Sequence, residues 1–377
     1  MTAPRGGPRV VVAPDKFKGS LTAAQAAQAI AEGLRRGCPG VDVVQLPVAD
    51  GGDGTVEAAV ASGYRRQMVT VRGPTGEPVE ATFALRGQTA VLEMAEASGL
   101  RQLPGGRPAP LTASTYGTGE LLRAALDAGC SHLILGVGGS ASTDGGAGMA
   151  QALGARLLGA DGAELPPGGA ALQDLDRIDT TGMDPRLASA TVVIASDVDN
   201  PLVGPHGAAH VYGPQKGANP SEVLLLDAAL TRYAAVVQRD LGVSVADTAG
   251  AGAAGGTGAG AIAFLGAHST SGIVLILDVV GFADAVAEAD LVITGEGCLD
   301  AQSLSGKAPV GVARAAASAG VRVIALVGRL EVADDELRGV GIAAAHALLE
   351  LQPDDALAQR DAALLLARLA EQVGATL

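Results

Sequence analysis

Residues 9–37, "RVVVAPDKFKGSLTAAQAAQAIAEGLRRG", decide the fold. Arg9–Ala13 is a short apolar run that reads as a buried strand, stopped by Pro14. Thr22 and Gln25 have capping-box spacing, Ile30 and Leu34 continue an apolar stripe, and Arg35, Arg36 and Gly37 close the helix. Working outward, Val41–Leu46 reads as the next strand. The loop "PVADGGDGT" (47–55) follows, with a helix from about Thr55. Strands and helices alternating at this length imply a parallel sheet.

From about Arg66 the rhythm changes. "RQMVTVRG", "EPVEATFALRG" and "QTAVLEMAEASG" read as successive antiparallel strands with turns between them. Helix, strand, glycine loop and helix follow in "YGTGELLRAALDAG", "SHLILGVGG" and "GGAGMAQALGARLLG". Gly159–Asp184 reads as a surface excursion, Thr191–Ala195 as a strand and Ser221–Asp240 as a helix. In "DTAGAGAAGGTGAGAIAFLGA" every second or third residue is glycine, so that backbone must bend tightly or approach something closely. After Val280 the first rhythm returns: strand "ADLVITGEG", helix Ala308–Ala319 with Pro309 in its first turn, strand "VRVIALVG", a strand near Ile342 and a long helix from Asp354. The economical reading is a doubly wound α/β domain made from both ends of the chain, residues 1–65 and 281–377. A second α/β domain with a mixed sheet, residues 66–280, is inserted between them.

Bulk properties exclude several classes of function. A net charge of −14 repels phosphate backbones and anionic lipid, so nucleic acid and membrane are poor partners. Eight Tyr and Phe and no Trp leave little for stacking on single-stranded bases. Cys38, Cys130 and Cys298 are too few and scattered for a disulfide framework or structural zinc. No leader-like segment or long apolar span is evident, and the chain reads as soluble and cytoplasmic.

Loops after parallel strands gather at the carboxyl edge of a sheet, where such folds bind ligands. The chain has only four lysines among 26 basic residues: Lys16, Lys18, Lys216 and Lys307. All four stand beside glycines and turns, which points to compact, movable cations rather than solvated charge. An extended segment after Pro14 projects Lys16 and Lys18 to one side, over the helix start at Gly19 and Ser20. The loop Gly138 to Gly146 can cradle phosphate through main-chain N–H groups and the hydroxyls of Ser140, Ser142 and Thr143. Asp50 and Asp53 on one loop, and Asp197, Asp199 and Asn200 on another, suit Mg²⁺ as well as tight turns. "TGEGCLDAQSLSGKAP" offers Glu296 as a metal ligand, Asp300 as a base and Lys307 as a phosphate cation. No P-loop, dinucleotide fingerprint, EF-hand or nucleophile elbow is present. Acidic residues, a few lysines and glycine loops are together what phosphoryl transfer needs.

Taken in order, "APDKFKGSLTA", "PVADGGDGT", "YGTGELL", "GVGGSASTDGGAGMAQALGA", "SDVDNPLVGPHGAA", "YGPQKGA", "GAGAAGGTGAG" and "ITGEGCLDAQSLSGKAPVGVA" make the chain resemble the type I bacterial glycerate kinases from residue 9 to 328. The resemblance implies a flavodoxin-like domain with an insertion, and ATP- and Mg²⁺-dependent phosphorylation of D-glycerate to 2-phosphoglycerate, with a 3-phosphoglycerate product as the alternative. It carries over onto Asp15, Lys18, Ser20, Asp50, Asp53, Ser140, Asp144, Asp197, Asn200, Lys216, Glu296, Asp300, Gln302 and Lys307. Asp197 is expected as base or metal ligand, Lys18 and Lys307 on anionic groups, and Gly138, Gly139, Ser140 and Ser142 on phosphate or carboxylate. A homodimer is compatible with the sequence but not fixed by it. One departure stands out: where the family has arginine in "GEGR", this chain has Cys298, which cannot supply a guanidinium fork. Two other readings follow from the residues, a non-catalytic phosphometabolite-binding regulator and a dinucleotide-dependent oxidoreductase.

Overall fold

The computed structural model describes residues 6–377. Eleven strands build its two main sheets: β1 (Arg9–Pro14), β2 (Asp42–Gln45), β3 (Arg65–Arg72), β4 (Pro78–Arg86), β5 (Thr89–Glu93), β6 (His132–Gly136), β7 (Thr191–Ala195), β8 (His268–Thr270), β9 (Leu291–Gly295), β10 (Arg322–Val327) and β11 (Ala344–Ala347). The chain forms two compact units. One gathers the described residues through Asp50, Glu57–Gly63 and Ile273–Leu377; the other holds Gly51–Val56 and Tyr64–Gly272.

The first unit carries a five-stranded, all-parallel sheet in the order β11–β10–β9–β1–β2. Its strands alternate between two apolar layers, as a period of two requires. Val11, Ala13, Val292, Val323 and Ala325 enter one layer, and Val10, Val12, Ile293, Ile324 and Leu326 enter the other. Chain order reverses between β1 and β9, because β2 lies on one side of β1 and all later strands on the other. That is the switch point at which ligands of open α/β sheets bind. On one face α1 (Ala23–Gly37) starts at the expected capping box, with Thr22 and Gln25 bonded to each other's main chain. Residues 273–280 were expected within the inserted domain; instead Ile273, Ile276 and Leu277, in the helix Gly272–Val279, are buried in the first unit's core.

The second unit has a six-stranded mixed sheet, β8–β7–β6–β5–β4–β3. Strands β3, β4 and β5 form the antiparallel meander read from the sequence, and β5 through β8 run parallel. A tyrosine-led helix, α2 (Tyr116–Asp127), and a short one, α3 (Ala147–Ala152), pack beside it, and α4 (Pro220–Leu241) opens on Asn219 with a second capping box. The glycine-rich segment is helical, α5 (Ala253–Leu265); it begins with Ala254, Gly255 and Gly256 in left-handed backbone and approaches its neighbours closely, as its glycines require. One reading of the sequence needs correction. The last helix of the chain is split at Asp361 into Asp355–Arg360 and α6 (Ala362–Gly374).

Candidate active site

In the first unit, Asp15 directly follows β1 and Glu296 directly follows β9, on the two sides of the switch point. The Asp15 N–H donates to Gly295 O at 2.8 Å and ties the two strand ends together. Gly297 then lets the chain pass the loop after β1, since a Cβ there would lie 3.1 Å from the Lys18 nitrogen. Asp15 is buried; its Oδ1 accepts the Lys16 N–H at 2.6 Å. Burial pushes its carboxyl up to about 6, with Lys16 and Lys307 opposing and Asp50 adding to the rise. Glu296, 7% exposed, is pushed up to about 7, mainly by burial, against the Ser303 hydroxyl and Lys307. Its Oε1 is buried without a hydrogen-bond partner.

Lys307 occupies the cap position of the helix Ala308–Ser318, and its Nζ lies 3.7 Å from Asp300 Oδ1. Asp300 accepts the Ser303 N–H at 2.9 Å, and this bond holds its carboxyl below the usual range. Expected as a base, Asp300 is instead a turn cap and a partner of Lys307, a poor proton acceptor near neutrality. Lys18 and Gln302 are exposed, Lys16 and Asp50 half-buried. The Ser20 hydroxyl donates back to Phe17 O at 3.1 Å, which holds the turn entering α1. Cys298 is half-buried and pairs with Arg329 in a two-stranded bridge.

In the second unit the loop from Gly138 to Gly146 follows β6. Gly138 and Gly139 reach the surface, but Ser140, Ser142, Thr143 and Asp144 are buried. The Ser142 and Thr143 hydroxyls, expected to cradle phosphate, point inward and have no hydrogen-bond partner. Asp144 accepts four bonds, from Thr115 N and Oγ1 at 2.8 Å and from the Gly146 and Gly148 N–H groups at 3.2 Å. Lys216, expected on phosphate, is 1% exposed and donates to Ser142 O, so it meets main chain and not solvent. Burial drives its ammonium pKa down, against the favourable field of Asp144, and drives the Asp144 carboxyl up, against its four hydrogen bonds.

Asp197 is exposed and accepts the Gly272 N–H at 3.3 Å. Asn200 organises its own loop: its Nδ2 donates to His206 O and its Oδ1 accepts from Tyr212 OH, both at 2.8 Å. Asp53 lies 3.8 Å from Arg101. Among the described residues no group of three or more His, Cys, Asp or Glu side chains gathers as a metal cage. Sequence reasoning missed Glu93. This buried carboxyl accepts the Gly54 and Val56 N–H groups and is raised to about 7 by burial. Its signal was a lone acid ending the apolar strand "TAVLE".

Among the described residues no helix is long and apolar enough to cross a membrane. The sequence profile of the glycerate kinase family matches residues 10–377. A glycerate kinase of Halalkalibacterium halodurans is 49% identical over 360 residues, covering 94% of this chain and 95% of the relative. The glycerate 2-kinase of Escherichia coli K12 is 47% identical over 326 residues, 85% of each chain. A crystal structure from Salmonella typhimurium LT2, assigned to glycerate kinase 2, superposes with a TM-score of 0.86 at 45% identity over 98% of both chains. With acids and a lysine assembled at a switch point and relatives matched nearly end to end, this chain is an enzyme of the glycerate kinase family.

Proposed function

We propose that the enzyme transfers the γ-phosphoryl group of ATP to D-glycerate, with Mg²⁺, in the cytoplasm, and that the product is 2-phosphoglycerate. The observation that carries this reading is Glu296. A buried carboxyl raised to about 7, with one oxygen unpartnered, at the switch point of a parallel sheet is suited to accept a proton from an attacking hydroxyl. The glycerate oxygen bonds to phosphorus, the bond from phosphorus to the ADP oxygen breaks, and the hydroxyl proton passes to Glu296. Lys307, at the N-terminus of an 11-residue helix, and Lys16 offset the negative charge of the transferring oxygens.

The donors near this site are carboxylate oxygens, with no nitrogen or sulfur set, which fits a hard cation completed by phosphate oxygens and water. Asp15 and Asp50, each within the other's field, would hold Mg²⁺ there, and the ion supplies further neutralisation of the phosphate oxygens. In the second unit the accessible Gly138–Gly139 backbone is assigned an anionic group, the glycerate carboxylate or a phosphate. The 2-position of the product is supported by the name of the Escherichia coli relative.

Phosphorus NMR of the enzyme with ATP, Mg²⁺ and D-glycerate tests the reading, because the 2- and 3-phosphoglycerate signals differ. A 3-phosphoglycerate signal overturns the position; no phosphoglycerate from folded enzyme overturns the activity. The Glu296→Gln variant is expected to lose roughly 10²–10⁴ in kcat while staying folded. Wild-type turnover in that variant removes Glu296 as proton acceptor.

A further inference from the structure

We propose that Lys216 is a positioning residue, whose buried ammonium holds the Gly138–Thr143 loop by the Ser142 carbonyl and so sets how tightly the loop grips an anionic substrate group. The proposal rests on the assignment of that loop to an anion under the proposed function.

The hold on this loop is on its main chain. Ser142 and Thr143 are fully buried, yet their hydroxyls make no hydrogen bond, so the side chains do not anchor it. The Ser142 carbonyl is fixed by Lys216 Nζ, and two residues on the Asp144 carboxylate is fixed by four donors from the N-terminal turns of α2 and α3. Lys216 itself is delivered by the short turn Pro214–Lys216, which Gly217 ends in left-handed backbone against Pro108. The opposite wall is Gly255: a Cβ there would lie 2.7 Å from Lys216 Nζ and 2.1 Å from Ser142 O. The slot therefore fits a slender ammonium, and a planar guanidinium has no room.

A buried ammonium is a weak source of net stability, because its desolvation cancels most of what its contacts gain and apolar replacements of similar volume often stabilise. What the charge contributes is a unique arrangement of the carbonyl it holds. A shift of about 1 Å in groups that orient a substrate is enough to cost on the order of 10²-fold in rate or affinity.

The test compares wild type with Lys216→Met, which keeps the volume, and Lys216→Gln, which keeps an N–H donor without charge. Steady-state kinetics and hydrogen exchange of the loop peptide are read on each. We expect folded Lys216→Met with the KM for one substrate raised roughly tenfold or more, kcat changed less, and faster exchange confined to residues 138–146. Lys216→Gln should fall between it and wild type. A raised KM for glycerate alone identifies the carboxylate as the loop's ligand, and for ATP alone a phosphate. Unchanged KM values with unchanged exchange overturn the proposal. Failure of both variants to fold also overturns it, since Lys216 is then a residue of stability. If wild type forms no phosphoglycerate the proposed function fails, while loop exchange still decides whether Lys216 holds the loop.

Discussion

Glu93 ends a strand with a carboxyl that two main-chain N–H groups hold in place, yet burial keeps its pKa near 7. In an unfolded chain the same group ionises near 4.5. Between those values the folded state retains a proton that the unfolded state has lost, so stability falls as pH rises from about 4.5 to 7 and levels above. Glu93→Gln keeps an oxygen acceptor for both N–H groups and removes the ionisation. Its free energy of unfolding, read by urea denaturation, should exceed that of wild type at pH 8 by on the order of 3 kcal/mol, and the difference should shrink toward pH 5. Equal pH profiles for the two proteins would show that the Glu93 pKa is the same in the folded and unfolded states. Lys307 was legible in the sequence, because lysine is rare here and this one precedes a proline-led helix. The inward turn of Ser142, Thr143 and Lys216 was not. Which side of a glycine loop faces solvent is decided by the turn that delivers Lys216, 74 residues away, and by α4 and α5 packed on Gly145 and Gly146.

At the scale of elements, α1 and α6 press together through glycine. A Cβ on Gly33 would lie 2.1 Å from Ala367 O, and one on Gly37 2.2 Å from Glu371 O. In an exposed helix, Gly→Ala stabilises by up to about 1 kcal/mol. At Gly33 the clash with main chain reverses the sign, and urea denaturation should show a loss of about 1–3 kcal/mol. A gain instead would mean that the two helices can move apart freely. The Thr22–Gln25 capping box and the meander were legible, since one is written in residues three apart and the other in alternation. The left-handed opening of α5 was legible only as a demand for glycine, because Ala254, also at positive φ (54°), is not a residue that announces such backbone. The break at Asp361 has no evident local signal.

Across the whole molecule, a charge of −14 opposes the approach of an anionic nucleotide and an anionic acid. The Debye length is about 10 Å at 0.1 M salt, so added salt weakens this diffuse repulsion more than the contacts made by buried or half-buried lysines. At constant free Mg²⁺, kcat/KM for glycerate should rise as sodium chloride goes from about 0.01 to 0.1 M. A fall would show that attraction by local cations dominates even at long range. In the first unit the Thr294 hydroxyl donates to Ala13 O across 281 residues of sequence, and β1 pairs with β9 from Val10 to Pro14. During synthesis at roughly 5–20 residues per second, β1 leaves the ribosome about 14–56 s before its neighbour exists. For that interval one edge of an apolar strand waits unpaired while the whole of the second unit is made. The nascent chain is therefore most exposed to aggregation in its first quarter, and binding by a chaperone there would protect the enzyme more than binding anywhere later.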